Sequence, residues 1–273
     1  MRYKYLYLFV ILFGILSTAC QSDIDDGILV DDGLNSDNTG VISMVTGTAG
    51  GTVSLSVDAP AGARFGVWID LDGNGLQAED GTEDVNLFNT YQKYALATGV
   101  KKIAIHGDIT YLAAASNELT EIDITGNPHL TTLNLPQNRL SSIDLSANPG
   151  LRMIDLSGNN IASMDLSVNK DLESLWVFNN QLMSLDLTAG TQLTFLDCSG
   201  NQLSELDLSN NSRLVRLLCY NNKLTSIDLS ANEQLNLFWA FGNLFSEDET
   251  EKINSSLGEE LNGDFWITEE TLE

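Results

Sequence analysis

The most constraining feature of this chain is a repeat with a period of 21 residues. Over residues 109–234 the pattern Leu-x-x-Leu-x-Leu-x-x-Asn-x-Leu-x-x-Leu-Asp-Leu-x-x-Asn-x-x occurs six times without an insertion, with other apolar residues replacing some of the leucines. A seventh, half-complete repeat covers residues 235–245. Repeats of this length stack as coils that contact only their neighbours, so the period predicts a solenoid.

Two polar positions of the repeat are as regular as the apolar ones. Position 9 is Asn in all seven repeats, and position 15 is Asp in all six complete ones. A side-chain amide can satisfy backbone groups that a bend leaves unpaired, which predicts a structural role for the Asn. We expect the Asp to form a second structural ladder that accepts hydrogen bonds from Ser, Thr or backbone groups. Because both halves of the repeat share one apolar pattern, the sequence predicts extended segments on both sides of each coil and little curvature.

The first 20 residues have the composition of a signal peptide. A basic start is followed by an apolar run over residues 5–16, which is too short to favour a transmembrane helix. The run ends in Ser17-Thr18-Ala19-Cys20, which resembles a bacterial lipobox, although its Leu lies one residue earlier than usual, at Leu16. This resemblance implies lipidation of Cys20. Ordinary cleavage next to Ala19 is the alternative.

Residues 21–40 are acidic and poor in aromatic side chains, which is typical of a solvated tether. Acidic residues just after a lipidated Cys resemble the signal with which some Gram-negative bacteria send lipoproteins to the cell exterior. We therefore expect an extracytoplasmic protein, anchored by lipid at the outer membrane or cell surface. Its contact with the membrane would be made through the anchor only.

The regions on either side of the repeats predict caps, which a solenoid needs because its open ends expose apolar surface. Residues 41–102 alternate in short runs between Gly- and Pro-containing turns, which predicts a small β module of three or four strands. Residues 100–105 match the first half of a repeat and would join this module to the solenoid of residues 103–245. Residues 246–273 predict a C-terminal cap, made of a helix that a capping box opens at Ser246 and a closing strand.

One motif of the β module has the spacing of a metal site. Asp70, Asp72 and Asn74 stand at alternate positions and are followed by Gly75, as in a loop that wraps a calcium ion with oxygen ligands. The bidentate Glu expected at the twelfth position is replaced by Gly81. The alternative is a hairpin in which Asp and Asn cap their own turn. No other cofactor is indicated.

With these motifs in place, residues 100–245 resemble bacterial leucine-rich-repeat surface proteins, internalin-like in the broad sense. The resemblance implies a mostly β fold: a leucine-rich-repeat solenoid of six and a half repeats between a small N-terminal β cap and a C-terminal helix-strand cap. It implies adhesion, host-protein binding or scaffolding. Because one fold serves many functions, the resemblance does not choose among them.

Enzymatic and nucleic-acid functions are disfavoured by the residues present. The two histidines, His106 and His129, lie in no recognisable nucleophile or metal motif, and no Gly-rich phosphate loop occurs, so we predict no catalytic residues. The 38 acidic residues against 13 basic ones would repel phosphates. Cys198 and Cys219 share one inward position of adjacent repeats, which predicts stacked core thiols, with a disulfide as the alternative.

The outward positions 3, 5 and 7 of the first half-repeat vary, whereas the second half is monotonous. Aromatic and other large side chains that no core requires are concentrated there in repeats 4 to 7, which predicts a binding stripe for a protein or a glycan. A structural stalk without a specific ligand is the alternative, and the stripe would then be covered by the C-terminal cap or a neighbouring domain. The predicted ligand-binding residues are Trp176, Phe178, Phe195, Arg216, Leu218, Tyr220, Trp239 and Phe241.

The first testable prediction concerns the anchor. Cells fed radiolabelled palmitate should label the wild-type protein, whereas the Cys20→Ser variant should stay unlabelled because it lacks the thiol that carries the lipid. Equal labelling of the two proteins would show that Cys20 is not the site.

Overall fold

The computed structural model describes residues 40–47, 50–257 and 264–267, so the predicted signal peptide, Cys20 and nearly all of the tether lie outside the described residues. The described chain is mostly β, with one α-helix, α1 (Glu247–Leu257). The strands are β1 (Val41–Thr46), β2 (Thr52–Asp58), β3 (Trp68–Asp70), β4 (Gln92–Ala95), β5 (Lys102–His106), β6 (Tyr111–Ala113), β7 (Leu119–Asp123), β8 (Thr132–Asn134), β9 (Met153–Asp155), β10 (Ser174–Trp176), β11 (Phe195–Asp197), β12 (Arg216–Leu218), β13 (Leu237–Trp239) and β14 (Asp264–Trp266).

The repeats form the solenoid that their period predicts. Positions 3 to 5 of every repeat form a three-residue strand, and these strands pair in parallel from β6 to β13 without a change of register. They belong to a ten-stranded sheet with the order β14-β13-β12-β11-β10-β9-β8-β6-β2-β4. Apolar positions 1, 4, 6 and 11 of the repeats are buried beneath this sheet and form one continuous core, on which the partly buried Phe245 of the last repeat packs. The predicted fold class is confirmed.

The sequence predicts extended segments on both sides of each coil, but the two halves of the repeat are not paired alike. Beyond β7 of the first repeat, no strand forms in the second half of a repeat in the described solenoid. The reason is that its backbone groups are used in turns: in the third repeat the N–H of Ser167 donates to Asp165 Oδ1 (2.8 Å), and the N–H of Asn169 donates to the carbonyl of Leu166 (3.0 Å). Neighbouring coils nevertheless remain joined on this side by bonds such as that from Gln181 N–H to the carbonyl of Ile161 (2.9 Å).

The N-terminal β module extends both sides of the first coil. On one side β2 pairs with β6, and on the other β1 pairs with β7, both antiparallel. Residues 100–105 do not form a half-coil, which corrects the sequence interpretation. Their strand β5 lies antiparallel between β1 and β3, in a four-stranded sheet. The apolar alternation of residues 100–105 suits either arrangement, and only pairing with β1 and β3 decides between them.

The C-terminal cap contains the predicted helix and strand. Ser246 Oγ accepts a hydrogen bond from the N–H of Glu249 (3.1 Å), which is one half of the expected capping box. Instead of closing the other half, the Glu249 carboxylate accepts the N–H of Ile227 in the solenoid (3.2 Å). Ile253 and Leu257 of α1 are buried against the last coils, and β14 pairs in parallel with β13. The helix therefore covers apolar surface at the end of the core.

As predicted, the Asn at position 9 satisfies backbone groups at a bend, and its bonds also connect each coil to the one before it. Asn180 is buried, its Oδ1 accepts the N–H of Ile161 (3.0 Å), and its Nδ2 donates to the carbonyls of Leu156 (2.9 Å) and Val177 (3.1 Å). Asn117, in the first repeat, bonds instead to the N–H and carbonyl of Ser54 in β2. The pattern of Asn180 recurs at Asn138, Asn159, Asn201, Asn222 and Asn243.

The two described cysteines are consistent with core thiols. Cys198 and Cys219 are both fully buried and both free. Burial raises the pKa of each thiol, so both remain protonated and unreactive.

Replacement of one position-9 Asn should therefore destabilise the solenoid. Asn180→Ala leaves the buried N–H of Ile161 without an acceptor, which costs about 1–3 kcal/mol. It also removes one of the two amide donors from each of the Leu156 and Val177 carbonyls, which keep the bonds from Asn159 and Asn201. We expect a loss of at least about 2 kcal/mol in urea unfolding. The control is Met183→Ala in the same repeat, because Met183 is 65% exposed. Equal urea midpoints for the two variants would contradict a structural role for the amide.

Candidate functional site

The predicted binding residues lie along one side of the ten-stranded sheet. Positions 3 and 5 belong to the strands and position 7 follows directly after each strand. Of the eight predicted residues, Arg216 is exposed and the other seven are partly exposed, so none of them is buried by the described part of the C-terminal cap. We call this surface the strand face.

The aromatic side chains of the strand face contact one another in two groups. Trp176 packs on Phe195 with ring centroids 4.7 Å apart. Two repeats further on, Tyr220 stacks on Phe241 at 4.7 Å and lies 6.5 Å from Trp239. Arg216 and Leu218 of β12 lie between Phe195 of β11 and Trp239 of β13 in the strand order. These contacts hold the large rings side by side along the solenoid axis.

Two carboxyl groups of the same face were missed by the sequence interpretation. Asp155 and Asp197 occupy position 5, and in the parallel register each pairs directly with Trp176, from opposite sides. They are 4% and 3% exposed. Each accepts a hydrogen bond from a Ser hydroxyl two residues on, Ser157 at 2.7 Å and Ser199 at 2.6 Å. An Asp at position 5 in two of the seven repeats, where the others have Ala, Asn, Leu or Trp, was the available sequence signal.

The environment of these carboxyl groups favours their neutral form. Burial raises the pKa of Asp155, and burial together with the nearby charge of Asp155 raises the pKa of Asp197 to about 6. The hydrogen bonds from Ser157 and Ser199 oppose these shifts. Among the described residues, no basic group contributes to the pKa of either carboxyl. The strand face therefore holds two buried acidic groups without a cationic partner.

The strand face continues onto the N-terminal β module. Tyr91, just before β4, is 48% exposed, and its pKa is raised by partial burial and then by the neighbouring Tyr111 and Asp155. Tyr111 is in β6, which pairs with β2 of the module. Tyr91 was not predicted as a site residue, because only the docking of the cap brings it to the repeats.

The opposite side of the coils carries the regular Asp at position 15. Its side chains are exposed and accept hydrogen bonds from the backbone N–H at position 17, as between Asp186 and Thr188 (2.9 Å). These bonds, with those from the position-17 hydroxyl, lower the pKa of the carboxyl groups. The predicted structural ladder is present. The residues are Asp123, Asp144, Asp165, Asp186, Asp207 and Asp228.

The loop after β3 brings together three carboxylates, two of which, Asp70 and Asp72, were predicted as metal ligands from the sequence. Asp70, Asp72 and Glu83 have oxygens that all lie within 4.8 Å of one another, and Asp70 and Glu83 are buried. Both Asp70 oxygens accept backbone N–H groups, from Gly73 (2.7 Å) and Gly75 (3.0 Å).

Asn74, the third predicted ligand, is used within the same turn. Its Oδ1 accepts the N–H of Leu76 (2.6 Å), and its Nδ2 donates to Asp72 Oδ2 (2.7 Å). The loop therefore has the features of a self-capped turn and an oxygen-rich cluster at once.

Neither histidine lies on the strand face. His106, in β5, stacks on Trp68 with ring centroids 3.8 Å apart, and its partial burial lowers its pKa. His129 Nδ1 lies 2.9 Å from Asp108 Oδ1, an exposed contact between successive coils. Both rings therefore contribute to packing or to contacts between elements.

Two depressions of the described surface are lined by residues other than the eight predicted binding residues. One of about 200 Å³ is lined by residues of the Asp ladder, including Asp165 and Asp186. Another of about 260 Å³ lies among Arg152, Glu173 and neighbouring polar side chains. Both are below the roughly 300–1,000 Å³ of typical small-molecule sites.

The repeat geometry defines this chain as a leucine-rich-repeat solenoid. No protein-family profile and no curated protein matches it. It is similar to solved structures of internalin-type and other leucine-rich-repeat proteins. Among the part of the chain that the structure describes, no helix has the length and apolar composition to cross a membrane.

Three of these solved structures illustrate the similarity. The functional domain of InlJ from Listeria monocytogenes, which includes a cysteine ladder, is 28% identical with a TM-score of 0.39, and the match covers 58% of this chain and 43% of that one. The internalin InlF from the same organism is 24% identical with a TM-score of 0.48, and the match covers 54% of this chain and 45% of that one. A leucine-rich-repeat protein of Leptospira interrogans is 26% identical with a TM-score of 0.46, and the match covers 52% of this chain and 38% of that one. The match therefore spans less than half the length of each of these three chains.

Because the pKa of Asp197 is raised, its burial can be tested through the pH dependence of the unfolding free energy. A carboxyl group whose pKa rises from 3.8 to about 6 on folding stabilises the fold below pH 4, and this contribution is lost as pH rises through 6. Asp197→Asn removes the dependence while retaining an acceptor for Ser199. Relative to wild type, the variant should gain about 2 kcal/mol of unfolding free energy between pH 4.5 and pH 7.

The matched control for this titration is Asp165→Asn. Asp165 is exposed and its pKa is lowered, so its contribution is present above pH 4 and is lost only as pH falls below that value. Urea unfolding at the two pH values measures both variants. A difference between Asp197→Asn and wild type that does not change with pH would refute the burial of an ionisable group at this position.

Proposed function

We propose that this protein is a binding module of the cell surface that recognises a protein or a glycan through the strand face. In this proposal it is an extracytoplasmic lipoprotein, anchored at the outer membrane or cell surface through Cys20. Its role is adhesion or another interaction with the host or the environment, and it catalyses no reaction.

One observation carries the proposal: partly exposed aromatic side chains are gathered on one face of a solenoid whose core does not need them. Trp, Tyr and Arg supply most of the energy at protein interfaces, and large exposed apolar patches mark binding sites. Trp176 and Trp239 share position 5 three coils apart, about 14 Å at the spacing of neighbouring strands. A row of this length suits an extended peptide or a short sugar chain.

The alternative is a stalk or scaffold lipoprotein without a specific ligand. In that case the strand face would pack against a neighbouring domain or chain. The regular Asp ladder, which could serve a stalk equally well, does not distinguish the two. The variation confined to the strand face favours a binding role, because a purely structural face has no need of different side chains in successive coils.

The ligand and its site can be tested together. A glycan array and a pull-down of host proteins with the purified mature protein would identify a ligand. Trp176→Ala should then weaken its binding at least about 30-fold, since burying one interface aromatic is commonly worth about 2 kcal/mol or more. Isothermal titration calorimetry measures the change.

The control for Trp176→Ala is Ser167→Ala, on the face of the Asp ladder, which should leave the affinity unchanged. If a folded double variant of Trp176 and Trp239 binds as tightly as wild type, the site lies elsewhere. The N-terminal β module would then be the next surface to test.

A calcium site in the loop after β3 is a second candidate. It is supported by the carboxylate oxygens of Asp70, Asp72 and Glu83, which lie within 4.8 Å of one another. Carboxylate groups are the ligands that calcium prefers, and Asn74 could add an amide oxygen after a change of its turn bond. Calcium bound here would stabilise the cap and not take part in the strand face.

Calcium should raise the melting temperature of the wild-type protein if this loop is a site, because a ligand that binds only the folded state stabilises it. The double variant Asp70→Asn, Asp72→Asn should lose this calcium-dependent increase. Differential scanning calorimetry with calcium and with a chelator makes the comparison. Equal melting temperatures of the wild-type protein under both conditions would show that the loop is a self-capped turn and not a calcium site.

A further inference from the structure

The strand face combines an aromatic row with two acidic groups whose pKa values are influenced by none of the described basic side chains. Trp176 lies between Asp155 and Asp197 in the strand order, with one carboxyl group in each neighbouring coil. At the usual spacing of paired strands, the two carboxyl groups are about 10 Å apart with the indole ring between them. A single bound group above Trp176 could therefore approach both.

These acidic groups are costly to the fold in the absence of a partner. Burial of an ionised carboxylate is unfavourable unless it is paired, and among the described residues each carboxyl group receives hydrogen bonds from the Ser two residues on alone. The six Asp of the ladder, by contrast, are exposed and pay no such cost. A bound cation would offset the unfavourable burial of Asp155 and Asp197.

We infer that the strand face takes a lysine or arginine side chain of an extended protein segment, held over Trp176 between the carboxylates of Asp155 and Asp197. This inference rests on the proposed function and assigns the chemistry of its ligand. An aromatic ring attracts a cation to its face, and a carboxylate beside it adds a charge-assisted hydrogen bond. The net charge of −25 would attract basic partners from a distance.

The N-terminal β module contains the same combination with the cation supplied by the chain itself. The guanidinium of Arg64 lies 5.0 Å from the centre of the Phe88 ring, and it forms an ion pair with Asp58 at 2.8 Å. On the strand face the aromatic ring and the carboxylates are present, and the basic group is the part that a ligand would supply.

A neutral sugar fits the observations less well. Aromatic rings can stack on sugar rings, but a hydroxyl group carries no positive charge and offsets less of the cost of a buried carboxylate. The surface between Tyr91 of the cap and Trp239 of the last repeat is long and carries acidic groups within it. Charge complementarity therefore favours a basic protein segment.

The test uses arrays of ten-residue peptides with one to three Lys or Arg in a Ser, Thr and Val background. Each peptide is printed beside its neutral counterpart with acetyl-lysine or citrulline, and neutral oligosaccharides form a separate array. The purified mature protein is applied, and affinities of the best peptides are measured by fluorescence anisotropy. Charged peptides should bind at least about tenfold more tightly than their neutral counterparts, which corresponds to 1.4 kcal/mol.

Two double variants with the same net charge separate a specific site from general attraction. Asp155→Asn with Asp197→Asn should weaken binding of the charged peptides at least tenfold. Asp165→Asn with Asp186→Asn removes two charges from the ladder and should change the affinity less than twofold. Thermal melting shows that each variant is folded.

A pH series supplies an independent readout. The titratable groups around Asp197 are Asp155, Tyr220 and the Cys198 and Cys219 thiols, and the raised pKa of Tyr220 and of both thiols keeps these three groups protonated at neutral pH. Because the pKa of Asp197 is raised to about 6, its charge is lost on going from pH 7.5 to pH 5. Affinity for charged peptides should fall over this range in wild type and stay nearly constant in the Asp155, Asp197 double variant.

The outcomes distinguish this inference from the proposed function. Equal binding of neutral and charged peptides, or equal losses in the two double variants, would overturn the inference. If neutral peptides or oligosaccharides bind in a way that depends on Trp176, the strand face is a binding site but not one for cations. If no peptide binds, the inference is wrong, and if Trp176→Ala also changes no other binding, the proposed function fails with it.

Discussion

The hydrogen bonds of the Asn at position 9 of each repeat are the interaction on which the rest of the structure depends. Each three-residue strand is too short to hold a sheet together alone, and the second half of the repeat has few backbone bonds between coils. The amide at position 9 adds one acceptor and two donors where the chain turns away from the strand, as Asn180 does. It fixes the spacing of the coils, so side chains at the same repeat position lie beside one another on the strand face.

The same residue type serves two purposes in this molecule, and its surroundings decide which. Asp at position 15 is exposed, caps its own turn and has a lowered pKa. Asp155 and Asp197 lie at position 5, buried in the strand face, and their pKa is raised. The first arrangement stabilises every repeat equally. The second occurs only beside Trp176 and opposes stability at neutral pH, which is typical of groups placed for binding.

The order of the repeats and the roles of Asn and Asp were predictable, because they depend on contacts that recur every 21 residues. The helix at Ser246 was predictable for a similar reason, since its cap is local. The predictions of strands in the second half and of a half-coil at residues 100–105 were wrong in part. In each case the apolar alternation was compatible with two arrangements. Hydrogen bonds within turns determined the structure of the second half, and pairing with β1 and β3 determined that of residues 100–105.

The candidate site was predicted in its aromatic part and missed in its acidic part. Aromatic residues at outward positions, such as Trp176, stand out in a repeat because the core does not require them. Asp155 and Asp197 become notable only when the strands align them beside Trp176, and Tyr91 only when the cap docks on the first coil.

The sequence by itself determined the solenoid, its coil length and the ladders of Asn and Asp, because each follows from a local pattern that repeats identically. The tertiary structure alone decided how the N-terminal β module joins both sides of the first coil, and which acidic groups are buried. Burial and pairing depend on residues that come together from different coils, so the sequence of a single coil does not reveal them.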